Sequence, residues 1–279
     1  MNIEKIYEDD DLLVINKPAG VVVNETKTLP DQETIQSWFW QTLTDKQKKA
    51  AVESNLIPQD FDETYGDPQA IFAERKGMVH RLDKETSGVL VLAKSPSSLV
   101  NLLDQFKKRV TQKKYLCLVH GRFGVTEDLI SFPIMRSTQD RMKFRVDVEG
   151  REAVTAYKVV EYYDALNMNV LKEAGVSDED LKSIKKNSNS YQGFSLVECW
   201  PKTGRTHQIR VHLNHIKHPL VGDKLYVGKK RKKLDEIWCK RHFLHANELT
   251  LVHPRTNEKI TLNAPLTEEL QRILNFFQK

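Results

Sequence analysis

The sequence predicts an α+β fold built on a central, mostly antiparallel sheet with flanking helices. Strand-like runs recur along most of the chain, while regular strand–helix–strand alternation is sparse, which disfavours a doubly wound parallel sheet. Helical apolar periods are confined to a few stretches. The 279 residues, 39% hydrophobic and 29% charged, suffice for a sizeable core and match a folded rather than a disordered chain. The whole length, 1–279, reads as one domain.

Taken in order, residues 3–8 and 12–16 alternate enough to be strands joined by a turn at Asp9-Asp10-Asp11. Lys17-Pro18-Ala19-Gly20 breaks the chain before a short apolar run, Val21-Val22-Val23. Residues 32–53 predict a helix, with Ile35, Trp38, Phe39 and Leu43 near one face. Residues 54–77 read as a long loop punctuated by Pro58, Gly66 and Pro68. A loop over 80–87 leads into the apolar run 89–93, and a helix follows at about 96–109, opened by Pro96. Residues 114–121 and 152–163 predict strands. Residues 165–190 are polar and helix-prone, an insertion with Ser177 as an N-cap. A strand at 192–200, a short helix at 206–216 and strands near 243–252 and 258–263 follow. The closing helix, from about 267 to 278, places Leu270, Ile273, Leu274 and Phe277 on one face.

Several function classes are disfavoured. No apolar run approaches the ~20 residues that span a bilayer. The first residues lack the basic and apolar regions of a secretory signal, so a cytoplasmic setting is expected. Three cysteines with no Cys-x-x-Cys pair fit neither a disulfide framework nor a zinc ribbon. Cys117 and Cys199, inside apolar runs, read as small buried hydrophobes. Neither Gly-x-Gly-x-x-Gly nor a Walker A motif occurs, so no nucleotide cofactor is expected. His212, His215 and His218 repeat every third residue but lack an acidic or thiol companion at ligand spacing, so no metal is expected either.

The net charge of +5 is mild, but its distribution is uneven. Lys107, Lys108, Arg109, Lys113 and Lys114 cluster, as do Lys224, Lys229, Lys230, Arg231, Lys232 and Lys233, while acidic residues collect at 8–11 and 60–67. Separated basic blocks suit a phosphate backbone. A solvated lysine-rich surface gives the same composition.

Three stretches carry chemistry. His80-Arg81-Leu82-Asp83-Lys84-Glu85-Thr86-Ser87-Gly88 sets charged and hydroxyl side chains in a loop at the mouth of an apolar run, where catalytic groups commonly lie. Lys202-Thr203-Gly204-Arg205-Thr206-His207-Gln208-Ile209-Arg210-Val211-His212-Leu213 places two arginines behind a glycine turn, able to grip a carboxylate and a phosphate. Lys113-Lys114-Tyr115-Leu116-Cys117-Leu118-Val119-His120-Gly121 is a strand with basic residues at its mouth and a tyrosine able to stack on a base or move a proton. Singly, each also reads as ordinary structure: a charged turn, a basic helix, a half-buried strand tyrosine.

Together these stretches resemble the RluA-type pseudouridine synthases. His80-Arg81-Leu82-Asp83-x-x-Thr86-Ser87-Gly88 is similar to the family's signature loop, and Asn16-Lys17-Pro18-Ala19-Gly20 to its first motif. Lys114-Tyr115 with Gly121 resembles the second and the 204–213 stretch the third. Pro219-Leu220-Val221-Gly222-Asp223, Leu244-His245-Ala246 and His253-Pro254 extend the likeness over most of the chain. The resemblance implies a pseudouridine synthase fold with an active-site cleft across the sheet, and isomerisation of an RNA uridine without cofactor. It implies a catalytic set of Asp83, Tyr115 and Arg210: the essential aspartate, a tyrosine against the target base, and an arginine paired with the aspartate, Arg205 being the rival for that last role. It makes His80, Arg81, Arg205, His207 and Gln208 the RNA-contacting set, with Arg81 filling the space that the uridine leaves. The expected partner is tRNA or rRNA, with no membrane, for a monomeric protein. Because the first motif begins at residue 17, no separate N-terminal RNA-binding domain is expected, and 42–76 and 164–191 are read as insertions. The competing reading is an RNA-binding protein of the same fold without catalysis.

Overall fold

The structure, a computed structural model, describes residues 1, 3–25, 32–59, 61 and 66–277. The fold is mixed α+β, with a large, mostly antiparallel sheet and flanking helices, as the sequence predicts. The chain divides into two compact units, residues 1–113 with 246–265 and residues 114–245 with 266–279.

In the first unit, β1 (Glu4–Glu8) and β2 (Leu12–Lys17) pair antiparallel. Asp9 Oδ1 closes the turn between them by accepting the N–H groups of Asp11 (2.8 Å) and Leu12 (2.7 Å). β3 (Ser87–Ala93) pairs with β2 from Leu12↔Ala93 to Lys17↔Gly88. Both strands are buried throughout, which is why they read as continuous apolar runs rather than alternations. Most of β10 (Leu244–Val252) belongs to this unit and pairs antiparallel with β11 (Lys259–Asn263).

The helices of this unit correct two expectations. The single helix over 32–53 is divided into α1 (Ile35–Thr42) and α2 (Asp45–Lys48). Each starts with its own capping box, Thr34 with Ser37 and Thr44 with Gln47, and Leu43 between them is extended. Two reciprocal caps outweigh a continuous apolar period. The loop over 54–77 contains α3 (Pro68–Arg75), opened by Asp67, whose carboxylate accepts the Ala70 N–H at 2.8 Å. Pro68 is therefore a helix-opening proline, since its missing N–H would have had no helical partner anyway. Residues 60 and 62–65 of that stretch lie outside the described residues. α4 (Pro96–Lys107) forms where expected, capped by Ser95.

In the second unit, β4 (Gln112–His120), β9 (Phe194–Pro201), β8 (Val154–Tyr163) and β5 (Glu127–Ser131) lie side by side in that order, all antiparallel. A separate ribbon pairs β6 (Ile134–Arg136) with β7 (Phe144–Val146). β5, β6 and β7 are only three to five residues long, too short for an alternating pattern to mark them. α5 (Met168–Glu173) and α6 (Asp178–Lys186) fill the expected insertion, with Ser177 capping α6. That segment is part of the core: Leu171 and Ile184 are buried with Tyr191, Phe194, Leu234 and Trp238. α7 (Gln208–His215) carries the third motif. α8 (Lys229–Trp238) was hidden from sequence reading by its five leading basic residues, and α9 (Glu268–Asn275) closes the unit with Leu270 and Ile273 buried. Among the described residues no helix is long and apolar enough to cross a membrane.

Candidate active site

The loop before β3 is built around backbone constraints. Gly88 has φ +117°, and a Cβ there would lie 2.2 Å from the Ala246 carbonyl oxygen and 2.6 Å from its nitrogen. Only glycine lets the strand come this close. Upstream, Lys17 is fully buried, and its ammonium donates to the carbonyls of Pro18 (2.7 Å), Val21 (2.9 Å) and Lys84 (3.1 Å). The Gly20 N–H also donates to the Lys84 carbonyl, at 2.9 Å. Lys17-Pro18-Ala19-Gly20 therefore clamps the backbone one residue after Asp83. The Asp83 carbonyl accepts the Thr86 N–H at 3.1 Å, closing the turn. Asp83 is half-buried at this turn and Arg81 beside it is exposed.

His80 faces inward. Its Nε2 accepts the Val91 N–H at 3.1 Å, and its ring stacks on Phe106 at 4.8 Å. Burial, with a smaller contribution from the Lys113 charge, pushes its pKa down to about 3. A neutral ring anchored to β3 and α4 fastens the loop.

In the second unit the third motif forms the start of α7. Arg210 is buried, and its guanidinium grips Asp223 in a fork: Nε to Oδ2 at 2.8 Å and Nη2 to Oδ1 at 2.9 Å. The Tyr226 ring lies against the guanidinium face, 5.1 Å away. Asp223 Oδ1 also accepts the N–H groups of Leu225 (3.0 Å) and Tyr226 (3.2 Å). Burial alone would raise the Asp223 pKa, but the Arg210 hydrogen bonds and charge, with a lesser pull from His242, hold it below the ordinary carboxylate value. Sequence reasoning did not select Asp223 or Tyr226. The signal for Asp223 was present in Gly222-Asp223, but nothing in the spacing links it to Arg210.

His207 opens α7 in the left-handed region, φ 56°, with Nδ1 3.0 Å from the Tyr226 hydroxyl. That hydroxyl accepts the Phe144 N–H at 2.8 Å, so its own proton can go to His207. Arg205 Nε donates to the Glu152 carbonyl at 3.0 Å. Gln208 requires a correction. It is buried; its oxygen accepts from Thr203 Oγ1 (2.7 Å) and Arg205 N–H (3.0 Å), and its nitrogen donates to the Val154 carbonyl (2.9 Å) and Thr155 Oγ1 (3.0 Å). An amide has four hydrogen-bonding positions and all four are used, leaving none for RNA. Tyr115 is half-buried on β4 opposite Cys199. Cys117 and Cys199 are fully buried, as their apolar surroundings predicted.

His212 uses both ring nitrogens internally, on Thr155 Oγ1 (2.9 Å) and the Phe132 carbonyl (3.0 Å), and so is a structural histidine. One grouping of metal-ligand type, Asp9, Asp11 and His253, occurs among the described residues. Arg255 donates to both carboxylate oxygens of Asp11, at 2.6 and 3.0 Å, so a guanidinium already supplies the positive charge there.

The family model described as RNA pseudouridylate synthase matches residues 11–215, a span that holds Asp83, Tyr115 and Arg210. The chain belongs to the RNA pseudouridylate synthases. It is 34% identical over 280 residues to the ribosomal large subunit pseudouridine synthase D of Xanthomonas campestris pv. campestris, covering 97% of this chain and 68% of that one. It is 31% identical over 285 residues to the tRNA pseudouridine synthase C of Haemophilus influenzae, covering 99% and 98%. Among solved structures, Human RNA Pseudouridylate Synthase Domain Containing 1 is similar in fold, with a TM-score of 0.62 at 23% identity, covering 98% of this chain and 87% of that one. This pseudouridine synthase is thus an isomerase.

Proposed function

We propose that the protein converts a uridine in structured RNA, tRNA or rRNA, to pseudouridine, with Asp83 as the reacting carboxylate. The observation that carries this reading is the brace on the Asp83 turn. A fully buried lysine spends its ammonium on three backbone carbonyls, one of them adjacent to Asp83. Burying such a charge is costly unless it is fully hydrogen-bonded, and its outcome here is a fixed loop. The two named relatives act, by their names, one on the large ribosomal subunit and one on tRNA, and both RNA classes stand as substrates.

The reaction breaks the bond from ribose C1′ to base N1 and joins C1′ to C5. C5 gives up a proton and N1 gains one, so the product is an isomer and no redox step occurs. An ionised carboxylate serves as nucleophile at C1′ or as the base that opens a glycal route. In this reading Arg210 meets Asp83 and favours its charged form, as a nearby cation does. Tyr115 lies against the base and relays the C5 proton. Arg81, exposed on the loop, fills the space left by the extruded uridine. Extrusion costs a few kcal/mol in a duplex and least in a loop. Arg205 and His207 contact the RNA beside it, and backbone contacts come from the two basic blocks.

The test is Asp83→Asn, nearly isosteric but neither nucleophile nor base. Tritium release from uridine-labelled RNA should fall below a few per cent of wild type, with RNA affinity changed no more than a few-fold. A purified variant that retained turnover would remove Asp83 from the role. Mapping pseudouridines in total RNA with and without the protein identifies the substrate class.

A further inference from the structure

We propose that Asp223 is a positioning residue for this reaction, acting through Arg210 and touching neither RNA nor the reacting atoms. The proposal rests on the reading of Arg210 as the partner of the reacting carboxylate. Three features of the second unit lead to it.

The first is the grip itself. Asp223 takes Nε and Nη2 together, which fixes both the direction of the guanidinium and its rotation about the Cδ–Nε bond. Tyr226 covers one face of that plane. An arginine held only by the carboxylate it serves would follow that carboxylate as it attacks and departs. One held from behind stays at a set place while the reacting group moves.

The second is that the holder cannot drift. Asp223 Oδ1 is tied to the Leu225 and Tyr226 N–H groups. The preceding Gly222 has φ +72°, and a Cβ on it would lie 2.2 Å from the Arg241 carbonyl oxygen, so the turn is packed against backbone. The Gly222 N–H donates to Asp235 Oδ2 at 2.9 Å, and the same oxygen lies 2.9 Å from His120 Nε2. Asp235 and His120 are both fully buried. The turn is thereby pinned to α8 and β4.

The third is energetic. A buried ion pair contributes little net stability, because desolvation offsets the attraction, and apolar replacements are often as stable. A fully buried carboxylate on a nearly buried arginine is therefore better accounted for by the geometry it imposes than by the stability it adds.

The experiment is a double-mutant cycle in single-turnover assays at saturating RNA, with activity expressed per folded molecule from unfolding curves. The variants are Asp223→Asn, Arg210→Lys and the two combined. Asp223→Asn should slow the chemical step at least ten-fold while the RNA Kd stays within two-fold. The combined variant should be no slower than Arg210→Lys alone, because once the guanidinium is gone its holder has nothing left to hold. A role confined to stability predicts normal turnover per folded molecule. A role independent of Arg210 predicts losses that multiply. Either result overturns the inference while leaving Arg210 in place. If Arg210→Lys kept wild-type turnover, the reading of Arg210 would fall, and this inference with it. Should Asp223→Asn not fold, Asp223→Glu, which keeps the charge but displaces it by one methylene, carries the same cycle with the same outcomes.

Discussion

His80 and Gln208 stand within a few residues of Asp83 and Arg210, and both turn inward. Residue type and spacing singled out the stretches, but which way a polar side chain faces depends on partners that are distant in sequence: Val91 and Phe106 for His80, Val154 and Thr155 for Gln208. Asp223 was missed for the same reason, since its role is defined by a helix that starts 15 positions earlier. The inward His80 has a consequence for pH. The unfolded ring takes up a proton as pH falls through ~6.5, whereas the folded ring does so only near 3. Stability that is fully present above pH 6.5 is therefore lost on acidification between those two values. The slope is at most about 1.4 kcal/mol per pH unit, so the loss at pH 5 is at most about 2 kcal/mol. His80→Gln keeps an acceptor for the Val91 N–H but does not titrate. Urea unfolding at pH 7 and pH 5 should show the wild type losing about 1–2 kcal/mol more than the variant. Equal losses would mean that another group titrates.

At the scale of elements, buried strands and well-capped helices were legible, because long apolar runs and Ser-Pro or Ser-x-x-Asp starts leave a local mark. Very short strands were not, nor was α8, whose apolar residues Leu234 and Trp238 come only after the lysine run. The helix alters what that run can do. Arg231 donates its Nε to the Ser190 carbonyl at 2.7 Å, and Lys232 is half-buried, while Lys229, Lys230 and Lys233 are exposed. Basic side chains in a first turn oppose the helix dipole, a conflict that bound phosphate would relieve. The 107–114 block is divided similarly: Lys113 packs over the Phe106 ring at 5.7 Å and Lys114 pairs with Glu198 at 3.7 Å, while 107–109 lie at the surface, Lys108 paired with Asp104 at 2.8 Å. Each phosphate neutralised on single-stranded RNA adds about 0.7 to the slope of log K against log salt. Lys229, Lys230 and Lys233 replaced together by Ala should flatten that slope by about two units, with turnover at saturating RNA unchanged. An unaltered slope would make α8 a solvated face with no part in binding.

For the whole molecule, the α+β class and the antiparallel sheet were readable from the sequence, because the balance of strands and helices is a sum over many local signals. The division into two units was not, since the first unit is completed by a segment, 246–265, that no local pattern assigns to it. That division sorts the charge. The first unit holds 17 Lys and Arg against 20 Asp and Glu, a net of −3, and the second holds 26 against 18, a net of +8. The mild overall +5 thus conceals a strongly basic half. Charge of one sign gathered on part of a surface steers a polyanion, and the effect fades as salt shortens the Debye length from roughly 30 Å at 0.01 M to roughly 8 Å at 0.15 M. RNA association measured by stopped flow should therefore slow steeply with salt, and the steepness should reside in the second unit. Lys46 and Lys49 are exposed in the first unit, within the 42–76 stretch. Replacing both by Ala should leave the salt dependence of the association rate as in wild type, whereas the α8 triple variant should flatten it. If the Lys46/Lys49 pair flattened it as much, the first unit would share in steering, and its acidic excess would be offset locally by where those lysines lie.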